Sequence, residues 1–296
     1  YGFKNKPFNY ESIKIQINGK QTFNQNRFIV SNTTDIRLRL PKDTSHCGVA
    51  RELIPLSDHE WSLVSDICFA NGVVHSKTAN GSNLVKLSIE FQLAVMLARY
   101  TGLRREEITT FRTKFIFKPS SEQLSRKYLV HTDGVHITPQ SGVNTKGSTS
   151  RTIEMPSTLM LQLHQYINSN RYIKRKRLFE LKNPNQADNP TLFISQQGHH
   201  YASRTFNARW GEVRNTVRLK YPSFNHKFHN LRSTYAVSRL KELLNKGLKE
   251  GDALDYIQSV MGHKSRSTLL KYLKFCQKNV IANELYEKSL DIILAE

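Results

Sequence analysis

The alternation of apolar and polar residues separates the start of the chain from the rest. The segments IKIQINGKQ (13–21) and RFIVSNTTDIRLRLP (27–41) alternate along their length and are joined by polar residues, which predicts short strands. The segment PKDTSHCGVARE (41–52) has the composition of a linker. We therefore predict a strand-like N-terminal segment over residues 1–50 and a separate domain over residues 51–296.

Beyond residue 50 most apolar residues recur at helical spacing. Helices are predicted over residues 56–70, 88–102, 103–112, 157–170, 203–220, 228–247, 253–262, 267–277 and 279–296. Gly102 suits the end of one helix, and Glu106 and Glu107 suit the first turn of the next. A very basic segment, RYIKRKRLFELK, follows at 171–182.

Four short segments have the character of strands. KYLVH (127–131), VHITPQ (135–140) and TSRTIEMP (149–156) predict an antiparallel meander whose first turn lies at the Asp-Gly pair 133–134, and TLFIS (191–195) predicts one more strand. The predicted fold class is therefore α+β, mostly helical, with a small antiparallel three-stranded sheet.

Charge and composition narrow the function classes. The chain has 44 Lys and Arg against 24 Asp and Glu, a formal net charge of +20, which favours a polyanionic partner: nucleic acid first, an anionic membrane surface second. No apolar run reaches the roughly 18 residues of a membrane-spanning helix, and no secretory signal is visible. Because the first residue is Tyr1, we expect the chain to be part of a longer protein.

Cysteine and histidine usage argues against a metal or disulfide framework. Cys47, Cys68 and Cys276 are scattered, which fits a reducing compartment. Neither the pair His199-His200 nor the pair His226 and His229 has cysteine or carboxylate neighbours at ligand spacing. We therefore predict no metal site and no cofactor.

Several basic residues occupy positions where they could hold an anion. Arg104 lies between two predicted helices, where free N–H groups and a guanidinium could bind phosphate, although pairing with a nearby glutamate is the simpler interpretation. His229 and Arg232 are three residues apart and share a helix face, although His229 could equally be an ordinary surface histidine. Lys146, in a polar turn, is either solvated charge or a proton donor to a leaving alkoxide.

The segment MGHKSRSTLLKYLKF (261–275) adds a histidine and a hydroxyl. His263 follows Gly262 at a break between helices, and Tyr272 lies nine residues further on. A tyrosine at the edge of an apolar helix face is usually structural. Together with the basic residues, however, it forms a set of cationic donors and one nucleophile that suits in-line displacement at a phosphodiester. Such a tyrosine needs a base or a cationic site, since its ordinary pKa is about 10.

Four separated motifs, in order, resemble those of the tyrosine recombinase (phage-integrase-type) family. TGLRREEI matches Arg104 and Glu107, NTKGSTSRTIEMP matches Lys146, HNLRSTYA matches His229 and Arg232, and MGHKSRSTLLKY matches His263 and Tyr272. The resemblance covers roughly residues 50–290. MGH stands where LGH is commoner, and Ser233 where many members have histidine. Arg104 is preferred over Arg105 because a glutamate lies three residues after it.

The resemblance implies a mechanism. Tyr272 attacks a scissile phosphate in duplex DNA to give a 3′-phosphotyrosine and a free 5′-hydroxyl. Arg104, Arg232 and His263 brace the phosphate, His229 accepts the tyrosine proton, and Lys146 donates one to the 5′-oxygen. Glu107 orients these groups from behind. A 5′-hydroxyl of another strand reverses the step, and no metal or nucleotide cofactor is needed.

The resemblance also implies partners. Family members act as tetramers on two double-stranded DNA sites, and the segment 279–296 suits a helix that docks in trans on a neighbouring subunit. Residues 1–50 would link to, or be the remnant of, a core-binding domain. Accessory DNA-bending proteins are possible partners, a membrane is not, and a cytoplasmic, nucleoid-associated location is expected.

Two other functions are compatible with the same sequence features. A type IB topoisomerase shares the chemistry but relaxes supercoils without exchanging strands between partners. A catalytically silent DNA-binding module could keep the fold without the reaction. The Gly-His motif and the short distance in sequence to Tyr272 favour the recombinase over the first, and the complete residue set favours it over the second.

Overall fold

The structure is a computed structural model that describes residues 54–78, 81–263 and 269–276, together with the backbone of two short strands at 10–12 and 29–31. The chain forms two compact units, Tyr1–Arg51 and Glu52–Glu296. In the first unit, β1 (Tyr10–Ser12) pairs antiparallel with β2 (Ile29–Ser31). The predicted linker, most of the two predicted N-terminal strands and the predicted C-terminal helix lie outside the described residues. The link to a further domain therefore stays a prediction.

The second unit opens with a helix whose start is set by its sequence. Helix α1 (Asp58–Ser65) begins at the N-cap Ser57, whose side chain accepts from the Glu60 N–H while Glu60 accepts from the Ser57 N–H. A turn of π-helix, Asp66–Asn71, continues it to Gly72. The prediction of a helix over 56–70 is confirmed.

An antiparallel hairpin that was not predicted follows this helix. Strand β3 (Val73–Thr78) pairs with β4 (Gly81–Lys86), and the dipeptide Asn80-Gly81, whose glycine is the first residue of β4, is the sequence signal for a turn here. Helix α2 (Ile89–Thr101) then begins at Ser88 and ends at Gly102, which is left-handed with φ +65°. Helix α3 (Arg105–Thr109) starts three residues after Gly102, so the helix predicted over 103–112 is present but shorter at both ends.

The small sheet differs in detail from the prediction, although the mostly helical fold class with short antiparallel strands is confirmed. Strand β5 (Tyr128–Leu129) pairs with β8 (Met155–Pro156), and β6 (Val135–Ile137) pairs with β7 (Arg151–Ile153). The result is two two-stranded pairs rather than one three-stranded meander. The Asp-Gly pair makes no two-residue hairpin turn, because its Asp133 is the last residue of a 3-10 turn, His131–Asp133.

A buried carboxylate separates the two strand pairs. Glu154, between β7 and β8, is 1% exposed and accepts hydrogen bonds from Arg239 and from the hydroxyls of Tyr235 and Tyr256. Its side chain thus ties the strands to the helices that follow. Nor does the segment 191–195 form a strand in a ladder; it makes two isolated bridges, Arg112↔Thr191 and Ile194↔His200.

Helices make up the remainder of the described chain. They are α4 (Ser121–Ser125), α5 (Ser157–Ile167), α6 (Asn170–Lys182), α7 (Ser203–Arg218), α8 (Asn230–Asn245), α9 (Glu250–Met261) and a helical segment over residues 269–276, here α10. The predicted helices in these regions are confirmed, and the basic segment 171–182 is itself helical, as α6.

Within the described residues, the buried apolar side chains form two hydrophobic clusters. The larger cluster contains Phe91 of α2 and Phe206 and Trp210 of α7. It also includes Leu231, in the first turn of α8. The smaller is built by α8, α9 and α10 and includes Tyr235 and Tyr272. Helix α8 contributes to both, so its first turns lie where the two clusters meet.

Candidate active site

Arg104 begins helix α3 as its N-cap. Its backbone N–H donates to Glu107 Oε2 at 2.7 Å, and its Nη1 donates to Glu107 Oε1 at 2.9 Å. The other terminal nitrogen, Nη2, reaches the carbonyl of Gly262 at 3.3 Å. The side chain is 16% exposed, so it is held firmly but still reaches solvent. The simple interpretation of Arg104, pairing with a glutamate, is therefore correct, and it is compatible with anion binding.

Glu107 is a fully buried carboxylate shared by two arginines. In addition to Arg104, it accepts from Arg151 Nη1 at 2.8 Å and Arg151 Nη2 at 2.7 Å. Burial raises the pKa of Glu107, but the hydrogen bonds and charges of Arg151 and Arg104 outweigh it and hold that pKa at about 2. The carboxylate is therefore ionised at neutral pH and shielded from solvent.

Arg232 is held at the junction of three segments. It is 2% exposed, Nη1 donates to the Gly102 carbonyl, and Nη2 donates to the Met261 carbonyl at 2.6 Å. Burial and the nearby charges of Arg104 and Arg151 lower its pKa to about 9, so it stays protonated at neutral pH. A buried guanidinium bound to neutral carbonyls retains its full positive charge at this point.

His263 follows a left-handed glycine at the end of α9. Gly262 has φ +62°, and the His263 N–H donates to the Gln258 carbonyl at 3.2 Å, a Schellman arrangement. The ring Nε2 lies 3.1 Å from Arg232 Nη2. Partial burial and the charges of Arg232, Arg104 and Arg151 lower the pKa of His263 to about 3. The Gly-His pair is therefore a turn that aims an imidazole at Arg232.

Tyr272 lies on α10 with its ring perpendicular to that of His263, at 6.1 Å between centroids. It is 1% exposed, which is why burial raises its pKa. Arg232, Ser233 and Arg104 oppose that rise. The Ser233 hydroxyl is near enough to favour the ionised tyrosine, although its geometry falls short of a hydrogen bond. The tyrosine is protonated in this state and is shielded from solvent.

His229 stands at the N-cap of α8, one turn before Arg232. Part of its surface is exposed. Removal of water from the rest of the ring, and the charges of Arg232 and Arg104, lower its pKa to about 4. The ring is therefore neutral at pH 7 and able to accept a proton.

Lys146 is the one predicted residue whose contacts with the cluster are not seen. It is exposed in the turn between β6 and β7, next to Gly147 and Ser148, which both have positive φ. Within the described residues its ammonium forms no ion pair with the other predicted groups. The structure thus gathers Arg104, Glu107, Arg232, His263, Tyr272 and His229, and leaves Lys146 on a neighbouring loop.

At the site, the sequence patterns did not single out Arg151, and they placed Gly102 at a helix end without revealing that this glycine packs against a ring. Arg151 lies beside Arg104 and Arg232, and only its place five residues after Lys146 could have drawn attention to it. Gly102 leaves room for a ring, because a Cβ there would lie 2.5 Å from Tyr235 Cδ1. Both positions are needed by packing that involves residues distant in sequence.

The described residues contain no group of three or more His, Cys, Asp or Glu side chains able to hold a metal ion. Across that same part of the chain, no helix has the length and apolar character to cross a bilayer.

Of the solved structures similar to this chain, that of XerH recombinase supports the fold. XerH recombinase bound to palindromic difH substrate is 16% identical with a TM-score of 0.51, covering 80% of this chain and 54% of that one. XerA recombinase is 17% identical, with a TM-score of 0.45 and coverages of 74% and 59%. The Tn1549 transposon integrase is 16% identical, with a TM-score of 0.46 and coverages of 74% and 61%. The chain thus spans little more than half the length of these proteins. Among curated proteins, none matches.

The fold is that of the site-specific recombinases. The chain belongs to the phage integrase family, whose family model matches residues 76–278 and so includes every residue of the candidate site. The resemblance seen in the sequence is confirmed.

Proposed function

We propose that the chain cleaves and rejoins DNA strands through a 3′-phosphotyrosine on Tyr272, as a site-specific recombinase. The observation that carries the proposal is the convergence of a buried tyrosine, the imidazole of His263 and the guanidinium of Arg232 from three separate segments, with the Nε2–Nη2 distance at 3.1 Å. Family membership supports it independently.

The charge balance of the cluster favours an anionic ligand. Three guanidiniums, on Arg104, Arg151 and Arg232, surround one ionised carboxylate, Glu107. Burial and, after it, the excess positive charge lower the pKa of both His229 and His263. A phosphate placed here relieves that repulsion, and the same groups stabilise the additional negative charge of a pentacovalent transition state.

Each residue has a role consistent with its position. Arg104, Arg232 and His263 hold the non-bridging oxygens, and Glu107 orients Arg104. His229, neutral at pH 7, accepts the Tyr272 proton as Oη bonds to phosphorus. The bond from phosphorus to the 5′-oxygen breaks, and Lys146 supplies the proton that this oxygen gains. A 5′-hydroxyl then attacks the phosphotyrosine and releases the tyrosine. Because the phosphodiester bond is conserved, the two steps need no metal ion and no nucleotide cofactor.

The buried position of Tyr272 means that cleavage requires α10 to move. Helix α10 is only about two turns long, and it packs on the protein through one face, formed by Leu269, Tyr272, Leu273 and Cys276. We infer that DNA binding displaces this segment and brings Oη to the phosphate. Duplex DNA is thus both substrate and activator.

The partners follow from the same proposal. XerH is recorded with its DNA substrate after cleavage, and the same fold in this chain supports double-stranded DNA as the substrate class. We propose a tetramer on two DNA sites, joined by the C-terminal segment in trans, for the complete recombination reaction. Whether integration, excision or transposition results depends on the DNA sites.

A covalent-adduct assay tests the proposal. The protein is mixed with labelled nicked duplexes made from DNA flanking its gene, and a denaturing gel separates covalent complexes. We expect a slow, protease-sensitive band for the wild type and none for Tyr272→Phe, which should still bind DNA. An adduct of equal yield with the phenylalanine variant contradicts the proposal.

A further inference from the structure

Arg151 occupies the first position of β7, five residues after Lys146, and is buried with only 5% of its surface exposed. A guanidinium has five N–H donors in a rigid plane. Here Nη1 and Nη2 donate to the two carboxylate oxygens of Glu107, and Nε donates to the Val260 carbonyl at 2.9 Å. One side chain therefore joins the sheet, helix α3 and the end of helix α9.

The contact with Glu107 determines how much of that carboxylate is left for Arg104. Oε1 accepts from Arg104 Nη1 and Arg151 Nη1, and Oε2 accepts from the Arg104 N–H and Arg151 Nη2. These four bonds use about all the acceptor sites of a carboxylate. Because Arg151 takes two of them, Arg104 cannot turn its own fork onto Glu107, and its Nη2 points to the Gly262 carbonyl instead.

The same arginine supports the turn that carries His263. A Cβ at Gly262 would lie 2.8 Å from Arg151 Cδ, so the stem of Arg151 lies directly against this turn. Its hydrogen bond to Val260 adds a polar contact two residues earlier. The direction of the His263 ring therefore depends on Arg151 as well as on the left-handed glycine.

We propose that Arg151 is a positioning residue for phosphate binding: it saturates Glu107 and supports the Gly262 turn, and so aims Arg104 and His263 at the substrate. It acts through these groups and does not touch the phosphate. The inference rests on the proposed function, because it assigns a role within the same site.

The substitution Arg151→Lys tests this directly. Lysine keeps the charge beside Glu107 but lacks the planar fork and the Nε donor. Since loss of a single oriented donor costs about 10²–10³ in rate, we expect single-turnover cleavage of a nicked phosphodiester duplex to slow by about 30-fold or more.

A second substrate separates positioning from loss of structure. In a duplex with a methylphosphonate at the scissile position, a methyl group replaces one non-bridging oxygen and its charge. The orientation of the cations then has less effect on the rate. On this duplex we expect Arg151→Lys to cleave within about threefold of the rate of the wild-type chain on the same duplex. A merely structural role would reduce cleavage of both duplexes by the same factor.

The chain provides a matched control in Arg239→Lys. Arg239 also directs Nε and Nη2 onto a buried carboxylate, Glu154, and its side chain is 9% exposed against 3% for Arg151. We expect this variant to lower the melting temperature and to change both cleavage rates by one common factor.

The outcomes are distinct. Equal slowing of Arg151→Lys on both duplexes, or wild-type rates on both, overturns the role of Arg151 while leaving the proposed function intact. Absence of any adduct with the wild-type chain on either duplex is instead a failure of the proposed function. A loss confined to the phosphodiester, absent in Arg239→Lys, establishes Arg151 as a positioning residue.

Discussion

Arg232 and His263 are joined by a contact of 3.1 Å between Nη2 and Nε2. An arginine can only donate, so Nε2 of His263 must be the acceptor and the ring proton must be on Nδ1. The imidazole is therefore neutral, which agrees with its pKa of about 3. The two residues lie 31 positions apart in the sequence, and the contact depends on the turn at Gly262.

Stability should depend on pH because of this neutral histidine. The pKa of His263 in the folded chain, about 3, and that of His229, about 4, both lie below the ordinary value of 6.5. Between pH 6.5 and 4 the unfolded chain binds more protons, so the free energy of unfolding falls as the pH falls through this range. Urea denaturation at pH 7 and at pH 5 measures this decrease in the free energy of unfolding.

Substitution of His263 checks the origin of that dependence. In His263→Gln the loss of stability between pH 7 and pH 5 should be smaller than in the wild type. His59→Gln, on the exposed side of α1, controls for the change of residue type. A loss of the same size in wild type and His263→Gln contradicts a buried neutral imidazole.

Gly102→Ala should destabilise the fold at the site itself. Gly102 has φ +65°, and the added Cβ would lie 2.5 Å from the ring of Tyr235. Its carbonyl also accepts from Arg232. We expect a loss of about 2–4 kcal/mol in the free energy of unfolding, the sum of left-handed strain and overpacking.

Gly247→Ala is the matched control for that change. Gly247 has φ +85°, but a Cβ there meets no atom within 4 Å. Gly247→Ala should therefore lower the free energy of unfolding only through left-handed backbone strain, by about 1 kcal/mol. Equal losses in the two variants, measured by denaturant unfolding, would mean that the close approach to Tyr235 has no energetic consequence.

Lys146→Ala should separate chemistry from folding. The side chain is exposed, so the melting temperature should not change. Loss of a general acid should slow cleavage by about 100-fold or more. A duplex with sulfur in place of the scissile 5′-oxygen needs no proton on its leaving group and should restore the rate. Equal slowing with oxygen and sulfur leaving groups would remove the acid role.

DNA binding should weaken steeply with salt. With a net charge of +20, the chain is expected to bind mainly through phosphates, and the affinity should fall roughly 10³-fold or more between 50 and 200 mM salt if six or more phosphates are contacted. Fluorescence anisotropy with a labelled duplex measures the slope, and Lys146→Ala should change it by no more than about one unit. A flat response is incompatible with phosphate-dominated binding.

The helices and most site residues could be predicted from sequence because their signals are local. Gly102 ends α2, Ser57 begins α1, and the spacing of His229 and Arg232 places them on one helix face. Family motifs then identified residues that the structure brings together at the start of α8 and the end of α9. Even the hydrogen bond between Arg104 and Glu107 follows from their spacing of three residues.

Features that depend on distant contacts could not be predicted in this way. Strand β5 pairs with β8 rather than with its neighbour in sequence, β6, and Glu154 beside β8 binds partners that lie 81–102 residues away. Arg151 appears as an ordinary strand residue until α3 and α9 are placed beside it. The burial of Tyr272 likewise depends on packing against α8 and α9, which periodicity alone does not reveal.

The most direct test of catalysis by Tyr272 is to identify the residue that becomes covalently bound to the DNA. The covalent complex formed on a nicked duplex is digested with protease and nuclease, and the remaining nucleotide-bearing peptide is sequenced by mass spectrometry. We expect a nucleotide joined through its 3′-phosphate to Tyr272, with a free 5′-hydroxyl on the released strand. A nucleotide on any other residue, or a link through a 5′-phosphate, would contradict it.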